Sequence, residues 1–360
     1  MTFLLALLPV VLFLVALVLM DSFKLVRPVD IGVAIAWGGL VALGLEAVHR
    51  VMLDSGQVDS RTLVRYIAPV GEELLKAVFI VVLFARHRVG FLVDAAVQGF
   101  AVGAGFALLE NVSYLRAMPD APLMLWVVRG LGTAVLHGAT TAIVAILAKS
   151  WIDRARHSAT PQIGTPEEAQ SAAPSLPEAD RAPHRVPVIV AVLPGLALAI
   201  AVHSAYNHLL LPPLASTTLP LIVLPLLVVA VFDRSERATG DWVAGGLDLD
   251  FDRLQSLVSQ EFQTTNYGRY LQELKTRFDG PVVADMVCLL RLQLELSVQA
   301  RALLMARQAG LTLPADTDLE PSLAEIAALR RSVGATGLLA LKPLAVSTDS
   351  DAFHRYLLRG

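Results

Sequence analysis

Between Thr2 and Phe232 the sequence is a succession of apolar runs, several near the roughly 20 residues a helix needs to cross a bilayer. Nothing else constrains the fold as much. Lipid offers no partner to a backbone N–H or C=O, so a run that enters it must close its hydrogen bonds internally, as a helix. The composition agrees: 55% of the 360 residues are hydrophobic and 17% charged, with mean hydropathy +0.61, whereas soluble globular chains carry about 25% charged residues. A formal net charge of −3 offers no basic surface for nucleic acid. The single cysteine, Cys288, excludes an intrachain disulfide.

Seven spans fit the hydropathy, over residues 2–20, 31–50, 63–85, 91–115, 122–149, 187–211 and 214–232. The first lacks the basic leader and small-residue cleavage site of a signal peptide and reads as a retained helix. The last is short and carries Pro220 and Pro225. Lys24, Arg27, Arg86, Arg88, Lys149, Arg154, Arg156, Arg234 and Arg237 fall in one set of loops, against Arg50, Arg61, Arg65 and Arg116 in the other. That bias places the N-terminus outside and the C-terminus in the cytoplasm.

Residues 152–186, rich in Pro, Ala, Ser and Glu, read as a disordered cytoplasmic loop within a transmembrane core of residues 1–232. Beyond Phe232 the composition turns soluble. Phe251, Leu254, Leu257, Val258 and Phe262 recur at helical spacing, as do Tyr270, Leu271, Leu274 and Phe278. Further helices are expected over 283–307 and 322–331. The expected fold is all-α, a polytopic membrane helical bundle of about seven spans with a small helical cytoplasmic domain over 233–360. Cys288 is expected in the core of that domain.

The informative residues are the ionisable ones inside the spans. Each costs at least ~2.5–3.5 kcal/mol at a helix centre and is functional by default. The third span holds Glu72, Glu73 and Lys76; the fourth, Glu110 and Asn111; the fifth, Arg129 and His137; the sixth, His203 and Asn207. At about 1.5 Å per residue, Glu72, Glu110 and His203 lie about 13, 8 and 12 Å below the outer ends of their spans. They share the outer half of the bilayer, whereas His137 counts out about 22 Å deep. Lys76 stands one helical turn from both Glu72 and Glu73 and can neutralise part of the pair. The two glutamates point about 100° apart, so one faces the site while the other pairs with Lys76 or Arg129. Arg129 and Asp94 read as structural or interfacial.

A buried glutamate beside another acid suits a general base for water, and imidazoles with an asparagine suit an oxyanion. The same glutamates and histidines could instead ligate zinc with one position open. Spacing does not decide between the two.

These residues resemble the motifs of the PrsW intramembrane proteases. Glu72-Glu73-x-x-Lys76 is similar to their EExxK motif, Phe106-x-x-x-Glu110-Asn111 to FxxxEN, His137-x-x-x-Thr141 to the third motif and His203-x-x-x-Asn207 to the fourth. The four fall on successive spans in family order, within about residues 30–232. PrsW proteins are in turn similar to the CAAX prenyl endopeptidases. The resemblance implies an intramembrane endopeptidase acting on a membrane-anchored protein near the extracytoplasmic side, such as an anti-sigma factor. It implies that Glu72 activates water with Glu73 and Lys76 in support, and that Glu110 stands where CAAX relatives carry a histidine. His137 binds water or metal, and His203 and Asn207 hold the oxyanion. The implied metal, if the mechanism uses one, is zinc held by Glu72, Glu110, His137 and His203. The implied setting is the cytoplasmic membrane of a bacterium, with a membrane-anchored protein substrate and the lipid bilayer; the resemblance does not reach the C-terminal domain, for which a cytoplasmic partner is a separate expectation.

Two other functions compete. An ion-coupled carrier would use the same intramembrane acids and histidines as a relay, but the sequence lacks the repeat symmetry of such carriers. A catalytically inactive scaffold would have no reason to keep Glu72, Glu73, His137 and His203 together. HExxH and an intramembrane Gly-x-Ser-Gly are absent from the sequence.

Overall fold

The computed structural model describes residues 2–21, 23–159, 187–208, 210, 212–258, 266–311, 319–341 and 358. Every regular element among them is helical. The chain divides into two compact units, residues 1–20 with 28–232, and residues 21–27 with 233–360.

The first unit contains α1 (Thr2–Met20), α2 (Pro28–Asp54), α3 (Ala68–Ala85), α4 (Leu92–Ala117), α5 (Ala134–Ala159), α6 (Val188–Asn207) and the start of α7 (Pro213–Val258). Among the described residues six helices are long and apolar enough to cross a membrane, against the about seven expected. The difference is the run 63–85. It is helical as expected, but Glu72, Glu73 and Lys76 put three charges into it. The last span differs too: α7 continues past Phe232 without a break, accommodating Pro220 and Pro225 inside it. The fifth continues through Ala159, so the first residues of the expected loop 152–186 are helical, and residues 160–186 lie outside the described residues.

The centre of the unit is α4, with 83% of its apolar stretch buried against 22% for α1. It packs between α2 and α5, with α1 also against it. Small residues permit that closeness, as in lipid-embedded helices generally. A Cβ at Gly38 of α2 would stand 1.9 Å from the Val102 carbonyl oxygen of α4. A Cβ at Gly103 of α4 would stand 2.0 Å from the His137 carbonyl oxygen of α5. Any side chain at either position would therefore push the two backbones apart. The close α4–α5 approach brings the His137 ring to 4.8 Å from the Phe106 ring, centroid to centroid.

Two segments are wider than an α-helix. Leu63–Ile67 leads into α3 and Val128–Thr133 leads into α5, both as π-helical turns. The first follows from Pro69. Without an N–H, proline cannot serve the carbonyl four or five residues behind it, which are those of Arg65 and Val64. In an apolar setting those oxygens need other donors. Ser204 Oγ donates to the Arg65 carbonyl at 2.6 Å, and Asn207 Nδ2 to the Val64 carbonyl at 2.9 Å, both from α6. On α4, Asp94 Oδ2 accepts from the amides of Gly90 and Phe91 and caps the helix start.

In the second unit, α8 (Asn266–Leu274), α9 (Gly280–Gln308) and α10 (Leu319–Leu341) share a core that includes Leu271, Leu274, Met286, Leu289, Leu290, Leu323 and Ile326. Tyr270 donates from its hydroxyl to the Ala340 carbonyl at 2.8 Å. The φ of +68° at Gly334 breaks α10 into two pieces, a conformation open to glycine at little cost. Cys288 is exposed, not in the core as expected. On α9 the core face runs through Val283, Met286, Leu289 and Leu290, and position 288 turns to the other side. In the 21–27 loop, Asp21 Oδ2 accepts from the amides of Leu25 and Val26 at 2.6 and 3.2 Å, and burial pushes its carboxyl above the ordinary range.

Candidate active site

The membrane unit gathers its costly side chains into one place. Glu73 of α3 is the hub. Its Oε1 accepts from Lys76 Nζ at 2.6 Å, from His203 Nδ1 of α6 at 3.0 Å and from Thr140 Oγ1 of α5 at 3.2 Å. Lys76 and Glu73 are wholly buried, and their pairing offsets part of the cost of bringing either charge into lipid. The ammonium also donates to His137 Nδ1 at 3.2 Å and lies 4.6 Å from the centre of the Phe106 ring.

His137 is held from its other side as well. Its Nε2 is 3.2 Å from Glu110 Oε2 of α4, and Arg129 Nη2 forms an ion pair with the same oxygen at 2.9 Å. With Nδ1 accepting from the Lys76 ammonium, the ring proton belongs on Nε2, toward Glu110. Glu110 and Arg129 keep 23% and 12% of their side chains exposed, against 0–3% for Glu73, Lys76, His137 and His203. The cluster is thus least enclosed by protein on the Glu110–Arg129 side.

Glu72 stands apart from the Lys76–Glu73 pair. Its Oε2 is 3.8 Å from His203 Nε2, buried, and without a hydrogen-bond partner. The two glutamates thus flank the His203 ring at opposite nitrogens, Glu73 at Nδ1 and Glu72 toward Nε2. His137 and His203 meet edge to face, 4.8 Å between ring centres.

Of the eight residues singled out from sequence as catalytic, six converge: Glu72, Glu73, Lys76, Glu110, His137 and His203. Depth counting set His137 apart from the others, yet its ring meets both Glu110 and His203. Asn111 stands at the edge, donating to the Ala6 carbonyl and accepting from Arg129 Nε. Asn207, expected at an oxyanion, donates instead to the Val64 carbonyl of the lead-in to α3. Thr141 bonds the His137 carbonyl within its own helix, and Thr140 is the threonine that reaches Glu73. Thr140 is the member sequence reasoning passed over, and Arg129, read from sequence as structural or as a partner for a glutamate of the third span, pairs with Glu110 instead. Arg129 carried the same signal as the others, a charge inside a span, with Gly130 and Gly132 beside it.

Glu72, His137 and His203 also suit a metal ion. One carboxylate oxygen and one nitrogen from each ring lie within 4.8 Å of one another, and all three residues are buried. Two imidazoles and a carboxylate are the donor set of catalytic zinc sites, which keep a fourth position open. The partnerless Glu72 Oε2 is the kind of orphaned acceptor such a ligand set leaves. The fourth residue of the expected set, Glu110, spends its Oε2 on His137 and Arg129.

Compared with known proteins, residues 28–232 match the family model of the PrsW family intramembrane metalloproteases. No curated protein and no solved structure matches the chain. The match covers more than half of the sequence and takes in every converging side chain, so the chain belongs to the PrsW family of intramembrane proteases.

Proposed function

We propose that this protein hydrolyses a peptide bond of a membrane-anchored protein at the site formed by Glu72, His137 and His203. The observation that carries the reading is the buried Glu72 Oε2, without a hydrogen-bond partner, facing His203 Nε2 in a cluster of acids and imidazoles drawn from four helices. Glu72, His137 and His203 would hold the cation, zinc by donor set. Bound there, it supplies Lewis acidity and a water that ionises near neutral pH.

The chain's own residues do the rest. Glu73 accepts the hydrogen bond from His203 Nδ1–H and so presents Nε2 to the site. Lys76 neutralises Glu73, and Glu110 with Arg129 fixes one edge of His137, whose other nitrogen, held by Lys76 in this structure, would be the one given to the cation. Burial on α4 and α5 encloses the site within the bundle. The substrate class, an anti-sigma factor or another membrane-anchored protein cut near the extracytoplasmic side, follows from the family resemblance and the outer-half depth of Glu72 and Glu110. With it go a cytoplasmic membrane setting, an outside N-terminus, a cytoplasmic domain over 233–360 and a partner for that domain.

One observation favours a second reading. His137 is engaged at both nitrogens, by Lys76 and Glu110. A metal-free route needs nothing further from it: Glu72 Oε2 takes the proton of the attacking water directly. The test uses purified protein in proteoliposomes with a membrane-anchored fluorogenic reporter. Wild type cleaves, and Glu72→Gln loses about 10²–10⁴-fold in kcat. Equal cleavage by both would contradict the reading, and ion flux without cleavage would favour a carrier. A chelator that stops wild type, with restoration by zinc, selects the metal route; indifference selects the metal-free one.

A further inference from the structure

The site is braced by a helix that lies outside the matched residues 28–232. Asn111 Nδ2 donates to the Ala6 carbonyl of α1 at 2.8 Å, and Asn111 Oδ1 accepts from Arg129 Nε at 3.0 Å. Arg129 Nη2 holds Glu110 Oε2 at 2.9 Å, and that oxygen meets His137 Nε2 at 3.2 Å. A chain of polar contacts thus runs from an α1 carbonyl to a ring of the site.

The sequence of α1 explains how a helix can offer carbonyls sideways. Pro9 has no N–H, so the Leu5 carbonyl four residues behind it loses its intrahelical donor within an otherwise continuous helix. That stretch of α1 lies against the π-helical turn that carries Arg129. Gly130 comes so close that a Cβ would stand 1.7 Å from the Leu5 carbonyl oxygen. Ala6 is fully buried beside Leu115 and Trp126, so no larger residue fits at the contact. Arg129 has two anchors as a result, its backbone turn against Leu5 and its guanidinium on Asn111, and its plane stacks 3.5 Å from the Tyr114 ring.

We propose that α1 is a positioning element of the active site, in which the Leu5 carbonyl freed by Pro9 seats the Arg129 turn and the adjacent Ala6 carbonyl seats Asn111, together fixing Glu110 against His137. Asn111 and Arg129 are positioning residues, not catalytic ones. The proposal rests on the proteolytic reading of the same site for its kinetic arm, and on structure alone for its spectroscopic arm.

Full-length protein in proteoliposomes tests it with four variants: Pro9→Ala, Asn111→Ala, the double variant, and Leu12→Ala, a lipid-facing α1 control. Pro9→Ala restores an amide that draws the Leu5 carbonyl back into the helix. Alanine is the better helix former, so thermal stability does not fall. Asn111→Ala is expected to lower kcat about 10–100-fold with KM little changed, and Pro9→Ala roughly tenfold. The double variant loses less than the product of the two single losses, because both anchors act on the same Arg129–Glu110 contact, and Leu12→Ala matches wild type. Unchanged kcat in Pro9→Ala, or losses that multiply in the double variant, would overturn the proposal. Loss of cleavage in Glu72→Gln, measured alongside, shows whether the proteolytic reading stands. The spectroscopic arm needs no turnover: with 15N-labelled histidine, the His137 ring signals shift in Pro9→Ala and Asn111→Ala but not in Leu12→Ala. His137 signals that stay in place in both overturn the proposal, whether or not the protein cleaves.

Discussion

Lys76 shows what a single charge in this interior must do. It is wholly buried, bonded to Glu73 and His137, and set against the Phe106 ring. Removing it strands the Glu73 carboxylate without its closest counter-charge, and stranding a buried charge costs about 3–5 kcal/mol. Lys76→Met is therefore expected to lower thermal stability in detergent sharply, and Lys76→Met with Glu73→Gln to recover part of the loss. Full stability in the single variant would show that Glu73 does not depend on Lys76. The expense of such groups is also why Glu72, Glu73, Lys76, Glu110, His137 and His203 were legible in the sequence: a chain does not place them in apolar spans without use. Which atom each would meet was not legible. Spacing says that His203 and Asn207 share a face of a helix, but not that one reaches Glu73 and the other the Val64 carbonyl. Spacing likewise sets Thr141 one turn from His137, but not that Thr140 is the threonine that reaches Glu73.

At the scale of elements, apolar length announced most helices, because lipid leaves the backbone no alternative. The two π-helical turns were not announced, since a widened turn has the composition of the helix around it. Pro69 was the visible clue to the first: it frees the Val64 and Arg65 carbonyls that Asn207 and Ser204 then satisfy. This gives Asn207 a testable assignment. If it serves the backbone, Asn207→Ala costs about 1 kcal/mol of stability and less than about tenfold in kcat. An oxyanion donor would instead cost about 10²–10³-fold in kcat with stability unchanged. Thermal melts and reporter kinetics on the one variant separate the two. The run 63–85 belongs to this scale as well. Its three charges keep it out of the set of apolar spans, yet Lys76, His203 and Thr140 satisfy Glu73 inside the bundle. Its neighbours thus meet part of the cost that composition alone counts against it.

In the whole molecule the converging acids and imidazoles lie within one unit, on α3 to α6, while residues 21–27 belong with residues 233–360. Nothing in the composition of that short loop signals its membership. The exposure of Cys288 was equally hidden, because a cysteine suits either side of a helix. What composition does reveal at this scale is the membrane class, and the family match then adds the reaction class. The account rests on three side chains from three helices forming one reaction centre. The direct measurement is kcat for Glu72→Gln, His137→Ala and His203→Ala, singly and together, on the membrane-anchored reporter. Groups that act as a unit are strongly non-additive. The account predicts that each single variant loses at least about 100-fold and that the triple variant is no slower than the slowest single one. Small single losses that multiply in the triple variant would mean three independent contributions, and would contradict it.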